Sequence, residues 1–493
     1  MKKFELLYKS AIELKSLISK KELSAVELTK LALERIEETN HKTNAFITVT
    51  ENLALESAKL VDKKIQNKEP VGLLGGVPTS IKDLEAVKGY RTTKGSLFLE
   101  NDISKTDQLH VERIKKEDGV ILGKTNVPEF GASGGTENKL GDDCRNPWNL
   151  NHTSGGSSGG TAAAVASGVH PFGQGSDGGG SIRIPSSFSG IYGIKGTQGR
   201  VPRRHSGKMS WHPVNYSCVG PMSWFVKDSA LLLQVMSGTH IEAEPNTIEK
   251  PSPDYLKHID NGVKGKKIGW SQNLNTRIAD QEVIDINAKA LKLLENNGAI
   301  IEDLDFKIDL NEYEELDSVL SIALNYANNK IFFEKDPSKL MPHVRNTIER
   351  GKNISSEQYI HALTKLYELR SYISSIFKKY DLIATPTVGF TANKCNEKHI
   401  IENNKLNIVK MTKEDKFVSN EMDYSSWNLA YKQYTALFNW SGNPGASIPS
   451  GFTQNNMPVG LQIVGDKEDE LSILQASRII EQEKPWQNLK PKI

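Results

Sequence analysis

A serine that follows three glycines is the first place where this chain invites chemistry. In Asp177-Gly178-Gly179-Gly180-Ser181-Ile182-Arg183, successive residues lack a β-carbon, so their backbone N–H groups can come close to a bound carbonyl. Donors aimed at one point stabilise an oxyanion, and the Ser181 hydroxyl beside them is placed to attack. A serine hydroxyl is a weak nucleophile and needs a base. Upstream, Gly76-Val77-Pro78-Thr79-Ser80-Ile81-Lys82-Asp83 sets a lysine among apolar and small residues. With an ordinary pKa of about 10.4, a lysine is protonated at neutral pH. Desolvation disfavours the charged form, so Lys82 can act as a base only if it is buried.

Two neighbouring patterns point elsewhere and lack their context. Gly173-Gln174-Gly175-Ser176-Asp177-Gly178 matches G-x-G-x-x-G, but a dinucleotide site needs a strand before it and a helix opening after it. Here Pro171 precedes the pattern, and Gly179, Gly180 and Pro185 follow it. Gly155-Gly156-Ser157-Ser158-Gly159 matches the G-x-S-x-G nucleophile elbow, which requires a core strand running into it. The preceding Asn149-Leu150-Asn151-His152-Thr153 is too polar for one, and none of the 11 histidines stands in a telling context.

Taken together, Gly155-Gly156-Ser157-Ser158-Gly159-Gly160 and Asp177 to Pro185 resemble the amidase signature family of serine hydrolases. That family has a lysine well upstream, a double serine between glycine pairs, and a second serine 24 residues later, which is the interval from Ser157 to Ser181. Leu23 to Leu28, Asn44-Ala45-Phe46, Gly123 to Phe130, Gly220-Pro221-Met222 and Pro458 to Ile463 are similar to the family as well. The resemblance implies a Ser–cis-Ser–Lys triad. Ser181 would be the acylated nucleophile. Ser157, with a cis peptide bond to Gly156, would bridge it to Lys82. The N–H groups of Gly178, Gly179 and Gly180 would hold the oxyanion. Ser158 would support Lys82, while Asp177 and Arg183 would be structural hydrogen-bonding groups. Gly131 and Ser133 either line the acyl pocket or belong to a plain loop.

The implied fold is α/β, a large central mixed β-sheet flanked by helices, in one amidase domain over 1–493. Its core signature region is expected at about 70–230, a variable, substrate-shaping region at about 240–430, and a C-terminal return to the core at 431–493. The implied activity is hydrolysis of a carbon–nitrogen amide bond. One relative by this resemblance is the amidase subunit of the complex that makes Gln-tRNA, which handles glutamine. It typically has threonine at the position of Gly178 and glutamine at that of Ile184, so both residues favour a stand-alone amidase here. An inactive binding protein of the same fold is a further alternative, and the filled triad positions speak against it.

The elements that must position these residues are legible from periodicity. Ser24-Ala25-Val26-Glu27 has the form of a capping box, with a helix to about Glu38. Further helices are expected over Asn52 to Gln66, Asp280 to Asn297 (with Gly298 as cap) and Asp469 to Glu481. Val120 to Leu122 reads as a buried strand, Ile268 to Trp270, Ala299 to Ile301, Leu382 to Ala384 and Val459 to Val464 as further strands, and 309–379 as helix-rich. Strands alternating with helices independently argue for an α/β fold.

Composition limits the partners. Lys plus Arg is 62 and Asp plus Glu 60, giving a net charge of +2, so no global basic field points to nucleic acid or an anionic membrane. The expected partner is a small-molecule amide substrate, with no nucleic acid and no membrane span; a homodimer is left open. No metal or other cofactor is expected, since no clustered Cys/His set or H-E-x-x-H is present. Cys144, Cys218 and Cys395 are odd in number and far apart, and no leader is evident, which fits a reducing cytoplasm. Trp211, Trp224 and Trp440 are candidate pocket aromatics, with core packing the alternative.

Overall fold

The structure is a computed structural model that describes residues 2–203, 216–240, 247–403, 405–417 and 429–493. The capping box forms: Ser24 Oγ accepts from Glu27 N at 3.0 Å, and the Glu27 carboxylate accepts from Ser24 N at 2.9 Å. The helix it starts, Ala25–Thr43, runs past the expected Glu38 and stops at Asn44, whose φ of 49° is left-handed. The other expected helices are Glu51–Gln66, Gln281–Asn296 and Glu470–Glu483.

Fifteen strands occur among the described residues: β1 Phe46–Val49, β2 Pro78–Lys82, β3 Val120–Thr125, β4 Arg145–Asn146, β5 Asn149–Thr153, β6 Phe172–Asp177, β7 Tyr192–Lys195, β8 Cys218–Ser223, β9 Lys267–Trp270, β10 Ile300–Asp303, β11 Leu382–Pro386, β12 Glu397–Glu402, β13 Lys405–Lys410, β14 Gly445–Phe452 and β15 Pro458–Gly465. Eleven of them make one mixed sheet in the order β1-β3-β2-β6-β8-β7-β14-β15-β11-β9-β10. The five strands expected from short apolar runs all belong to it, although β10, at the edge, is largely exposed. The large α/β sheet flanked by helices is therefore as the sequence implied. The polar run at Asn149–Thr153 does form a strand, but only in a two-stranded ribbon with β4, outside the central sheet. The G-x-G-x-x-G pattern begins inside β6 rather than in a loop after a strand.

β2 lies between parallel neighbours β3 and β6, and every residue of it is buried. A strand covered on both faces reads as continuously buried, and here that places Lys82 in the interior. Directly after it, Asp83 pairs with Lys124 of β3 at 2.8 Å, both side chains fully buried. Asp83 also accepts from Thr93 N at 3.0 Å, and Lys124 donates to Thr92 Oγ1 at 2.9 Å. The pair thus fixes the end of β2 against β3 and the 92–93 turn. Removing one partner of a buried pair leaves an uncompensated charge, at a cost of about 3–5 kcal/mol. Lys124→Met is therefore expected to lower unfolding free energy by about 3 kcal/mol, measured by urea denaturation.

Candidate active site

Lys82 is the last residue of β2, and its backbone N–H donates to Gln174 Oε1 of β6 at 3.0 Å. Its Nζ lies 2.8 Å from Ser157 Oγ, 2.8 Å from Ser158 Oγ and 3.1 Å from the Ser176 carbonyl. Complete burial pushes its pKa down to about 7, against the weaker upward pull of Glu85 and Asp177. No carboxylate stands within salt-bridge distance of it among the described residues. The burial that the chemistry demanded of this lysine is present.

Ser157 and Ser158 precede the short helix Gly159–Ala166, and the Gly156–Ser157 peptide bond is cis. Ser158 N donates to the Ser181 carbonyl at 3.1 Å, and Ser158 Oγ to the Ser176 carbonyl at 3.1 Å. Ser157 and Ser181 both face a cavity of about 1020 Å³, together with Gly178, Gly179, Gly131 and Ser133. Gly131 and Ser133 both belong to the cavity wall. At Gly131, φ is +72° and a Cβ would come within 2.8 Å of Leu84 Cδ1 and 3.2 Å of Ser157 Oγ. The loop reaches the double serine only because that atom is missing. The Ser181 hydroxyl makes no hydrogen bond among the described residues, so the Ser157–Ser181 link is not closed in this state.

Behind the wall, Asp177 and Arg183 form a fully buried ion pair, Nε to Oδ2 at 2.9 Å and Nη2 to Oδ1 at 2.9 Å. Burial alone would raise the Asp177 carboxyl, but the guanidinium outweighs it and holds the group well below the usual carboxylate range. Asp177 also accepts from Gly180 N at 2.7 Å and Ile182 N at 3.2 Å, so it shapes the turn that presents Ser181. This corrects one expectation. The Gly180 N–H is bound to Asp177 and is not available to an oxyanion, whereas Gly178 and Gly179 line the cavity.

Several residues here had no role in the sequence reading. Asn439 Nδ2 donates to Asp177 Oδ1 at 2.9 Å, and Arg183 donates to Asn439 Oδ1 at 2.5 Å and to Gln462 Oε1 at 2.7 Å. Gln462 and Lys124 lie inside motifs that were noted, but nothing local says what they touch. Gln174 is a variable position of the glycine pattern. Asn439 carried no signal at all. The far wall of the cavity draws on Leu310, Asp317, Asn325, Phe332 and Arg350. Of the three tryptophans, Trp440 lines the cavity, Trp224 is core, packed edge-on against Tyr8, and Trp211 lies outside the described residues.

The glycines differ in what they require. A Cβ at Gly180, where φ is +135°, would sit 2.3 Å from Thr435 Oγ1, whereas at Gly178 the nearest atom is 3.6 Å away. Gly180→Ala is expected to destabilise by about 1–3 kcal/mol through strain and overpacking. Gly178→Ala should stay within about 0.5 kcal/mol of wild type. Urea denaturation of both variants checks the contrast.

Comparison with known proteins supplies the context. The Amidase family model matches residues 27–474. The glutamyl-tRNA(Gln) amidotransferase A subunit of Clostridium botulinum (strain Eklund 17B / Type B) is 35% identical over 506 aligned residues, covering 98% of this chain and 99% of that protein. A bacterial aryl acylamidase of the amidase signature enzymes superimposes with a TM-score of 0.87 at 29% identity, over 98% of this chain and 97% of the other. The glutamyl-tRNA(Gln) amidotransferase A subunit from Thermotoga maritima superimposes with 0.77 at 28% identity, over 99% and 98%. The amidotransferase relatives overturn the expected partners, a small-molecule substrate with no nucleic acid and a homodimer left open. Two of the three matched proteins are named as the A subunit of a glutamyl-tRNA(Gln) amidotransferase. A net charge of +2 could not carry that expectation, because in an assembly the basic surface can sit on a different chain. Among the described residues no helix is long and apolar enough to cross a membrane. The buried lysine, the double serine and the glycine turn thus belong to a recognised scaffold: the chain is a member of the amidase signature family, enzymes that hydrolyse amide bonds.

Proposed function

We propose that Ser181 is the nucleophile, Ser157 the proton bridge and Lys82 the base. The observation that carries this reading is the surroundings of Lys82 Nζ, buried with two hydroxyls at 2.8 Å and one carbonyl at 3.1 Å. A neutral amine has two N–H donors and one lone pair. With Ser158 Oγ donating to the Ser176 carbonyl, the two N–H bonds go to Ser158 Oγ and that carbonyl. The lone pair then faces the Ser157 hydroxyl. Ser157 passes its proton to Lys82 and takes the proton of Ser181, whose Oγ bonds to the amide carbon. The N–H groups of Gly178, Gly179 and Ser181 stabilise the oxyanion. Lys82 returns the proton through Ser157 to the leaving nitrogen, the C–N bond breaks, and water releases the acyl group by the same relay.

As to substrate, we infer that the chain is the amide-hydrolysing A subunit of a glutamyl-tRNA(Gln) amidotransferase, with glutamine as the amide donor. The 35% identity over 98% of the chain supports this. Working alongside partner subunits and tRNA follows from that reading. A second reading is hydrolysis of aryl amides. It is favoured by the higher TM-score to the aryl acylamidase, 0.87 against 0.77, and by the aromatic Phe130, Phe332 and Trp440 in the cavity wall. The departures at Gly178 and Ile184 lean the same way.

Ammonia release from glutamine and 4-nitroaniline release from 4-nitroacetanilide separate these readings, with partner subunits and glutamyl-tRNA added to the first assay. Glutamine turnover stimulated by those additions supports the first reading; anilide turnover with glutamine untouched supports the second. In either assay Ser181→Ala should lose at least about a thousandfold in kcat, and Lys82→Met about a hundredfold or more. A Ser181→Ala enzyme at the wild-type rate ends the proposed chemistry. Because the base must be neutral, kcat should climb with pH through about 7 and level off above it.

A further inference from the structure

The segment Ser133-Gly134-Gly135-Thr136 is packed on both sides, and on its inner side it covers the residue before Ser157. A Cβ on Gly156 would come within 2.5 Å of the Gly135 carbonyl oxygen and 2.7 Å of that of Ser133. Next to this contact, Thr136 Oγ1 donates to the Gly155 carbonyl at 2.8 Å. Among the described residues the N–H groups of Gly156 and Ser157 make no hydrogen bond. A glycine pair has little conformational preference of its own, so the approach to Ser157 is shaped by what covers it.

On its outer side the segment carries a buried ion pair that the relay does not use. Lys398 Nζ lies 2.7 Å from Glu137 Oε1, with side chains 1% and 4% exposed. Ser133 Oγ donates to the same carboxylate oxygen at 3.2 Å and accepts from Gly135 N at 3.1 Å. A Cβ on Gly135 would meet Glu137 Oε2 at 2.7 Å and Lys398 Nζ at 3.1 Å, so the pair rests directly on that residue. Burial alone would raise the Glu137 carboxyl, but Lys398 and Lys416 outweigh it and keep the group ionised. Lys398 belongs to β12, which pairs with β13 in a two-stranded sheet apart from the central one. The pair therefore ties this hairpin to a loop that lies one layer from Ser157.

We propose that Lys398 and Glu137 are positioning residues, whose ion pair holds the 133–136 segment against Gly156 and so fixes the Ser157 hydroxyl opposite Lys82 Nζ. This rests on the relay in which Ser157 bridges Ser181 and Lys82. Proton transfer needs heavy atoms at hydrogen-bond distance, and Ser157 Oγ stands 2.8 Å from Lys82 Nζ. A displacement of about 1 Å at such a point costs on the order of a hundredfold in rate. Stability alone does not call for the pair, because apolar residues of like volume often serve as well in its place. What a charge-assisted bond adds is a fixed distance and direction.

Phosphonylation of Ser181 by a fluorophosphonate, followed by mass spectrometry, reads the relay without a chosen amide. Ser157→Ala should slow it roughly a hundredfold, and Lys398→Met roughly tenfold. Lys398→Met strands a buried carboxylate, so the charges are also removed together in Glu137→Gln/Lys398→Met, which keeps an acceptor for Ser133. Urea denaturation checks that this variant is folded, and the same loss of roughly tenfold is expected of it. Adding Ser157→Ala to it should then slow labelling no further than Ser157→Ala alone, since the pair acts only through Ser157. A general loosening of the fold would multiply the two losses instead. Multiplied losses, a wild-type rate in folded Glu137→Gln/Lys398→Met, or failure of that variant to fold overturns the proposal and leaves the relay standing. Ser157→Ala at the wild-type rate, or a Ser181 that is never labelled, overturns the relay and the proposal with it.

Discussion

The buried pair of Asp177 and Arg183 is the constraint around which the site is arranged. Two charges out of water cost several kcal/mol each, and the pair is tolerable only when the remaining donors and acceptors are filled. Here they are. Asp177 takes backbone N–H groups from its own turn, and the guanidinium is shared among Asp177, Asn439, Gln462 and the Thr435 carbonyl. The turn bearing Ser181 is thereby locked to the end of β6, to the segment around 435–439 and to β15. A turn of three glycines has little conformational preference of its own, so its shape is imposed from beneath.

Above this base, Lys82 is distinguished by what is withheld from it. The same sheet holds another buried lysine, Lys124, whose pKa burial pushes down while its ion-pair partner Asp83 pulls it back up. Lys82 sits one strand away with hydroxyls and a carbonyl instead. Burial pushes a lysine down and a counter-charge opposes it, and Lys82 has no such partner at salt-bridge distance among the described residues.

How much of this was legible in the sequence depends on the range of each interaction. The capping box at Ser24 and Glu27 spans three residues and reads directly. The sheet strands β3, β9, β10, β11 and β15 announce themselves as short apolar runs. Asn149–Thr153 shows a partial failure: its polarity ruled out a core strand correctly, yet a ribbon at the rim suits polar residues well. The site proper splits the same way. Ser157, Ser158 and Ser181 stand out in the sequence because glycines flag them locally. Asn439 was not, because its partner Asp177 lies 262 residues away and an asparagine is silent until its neighbours are known. The Gly180 N–H was misassigned because spacing shows which donors are close together, not where each one points. The partners were misjudged for a simpler reason, since bulk charge describes a chain and not the assembly it joins.

The order of strands carries one more consequence. β14 pairs with β7 on one side, and β15 pairs with β11 on the other. Residues 445–465 are therefore the keystone between a six-strand half, β1-β3-β2-β6-β8-β7, and a three-strand half, β11-β9-β10. On the ribosome, where chains emerge from the N-terminus, the six-strand half is made long before the hairpin that covers its edge. Until then β7 presents an open edge of the kind that recruits other chains, and Arg183 waits for Asn439 and Gln462. Assembly of the centre is thus a late event in synthesis, and the vulnerable species in the cell is the nascent chain with its middle strands exposed.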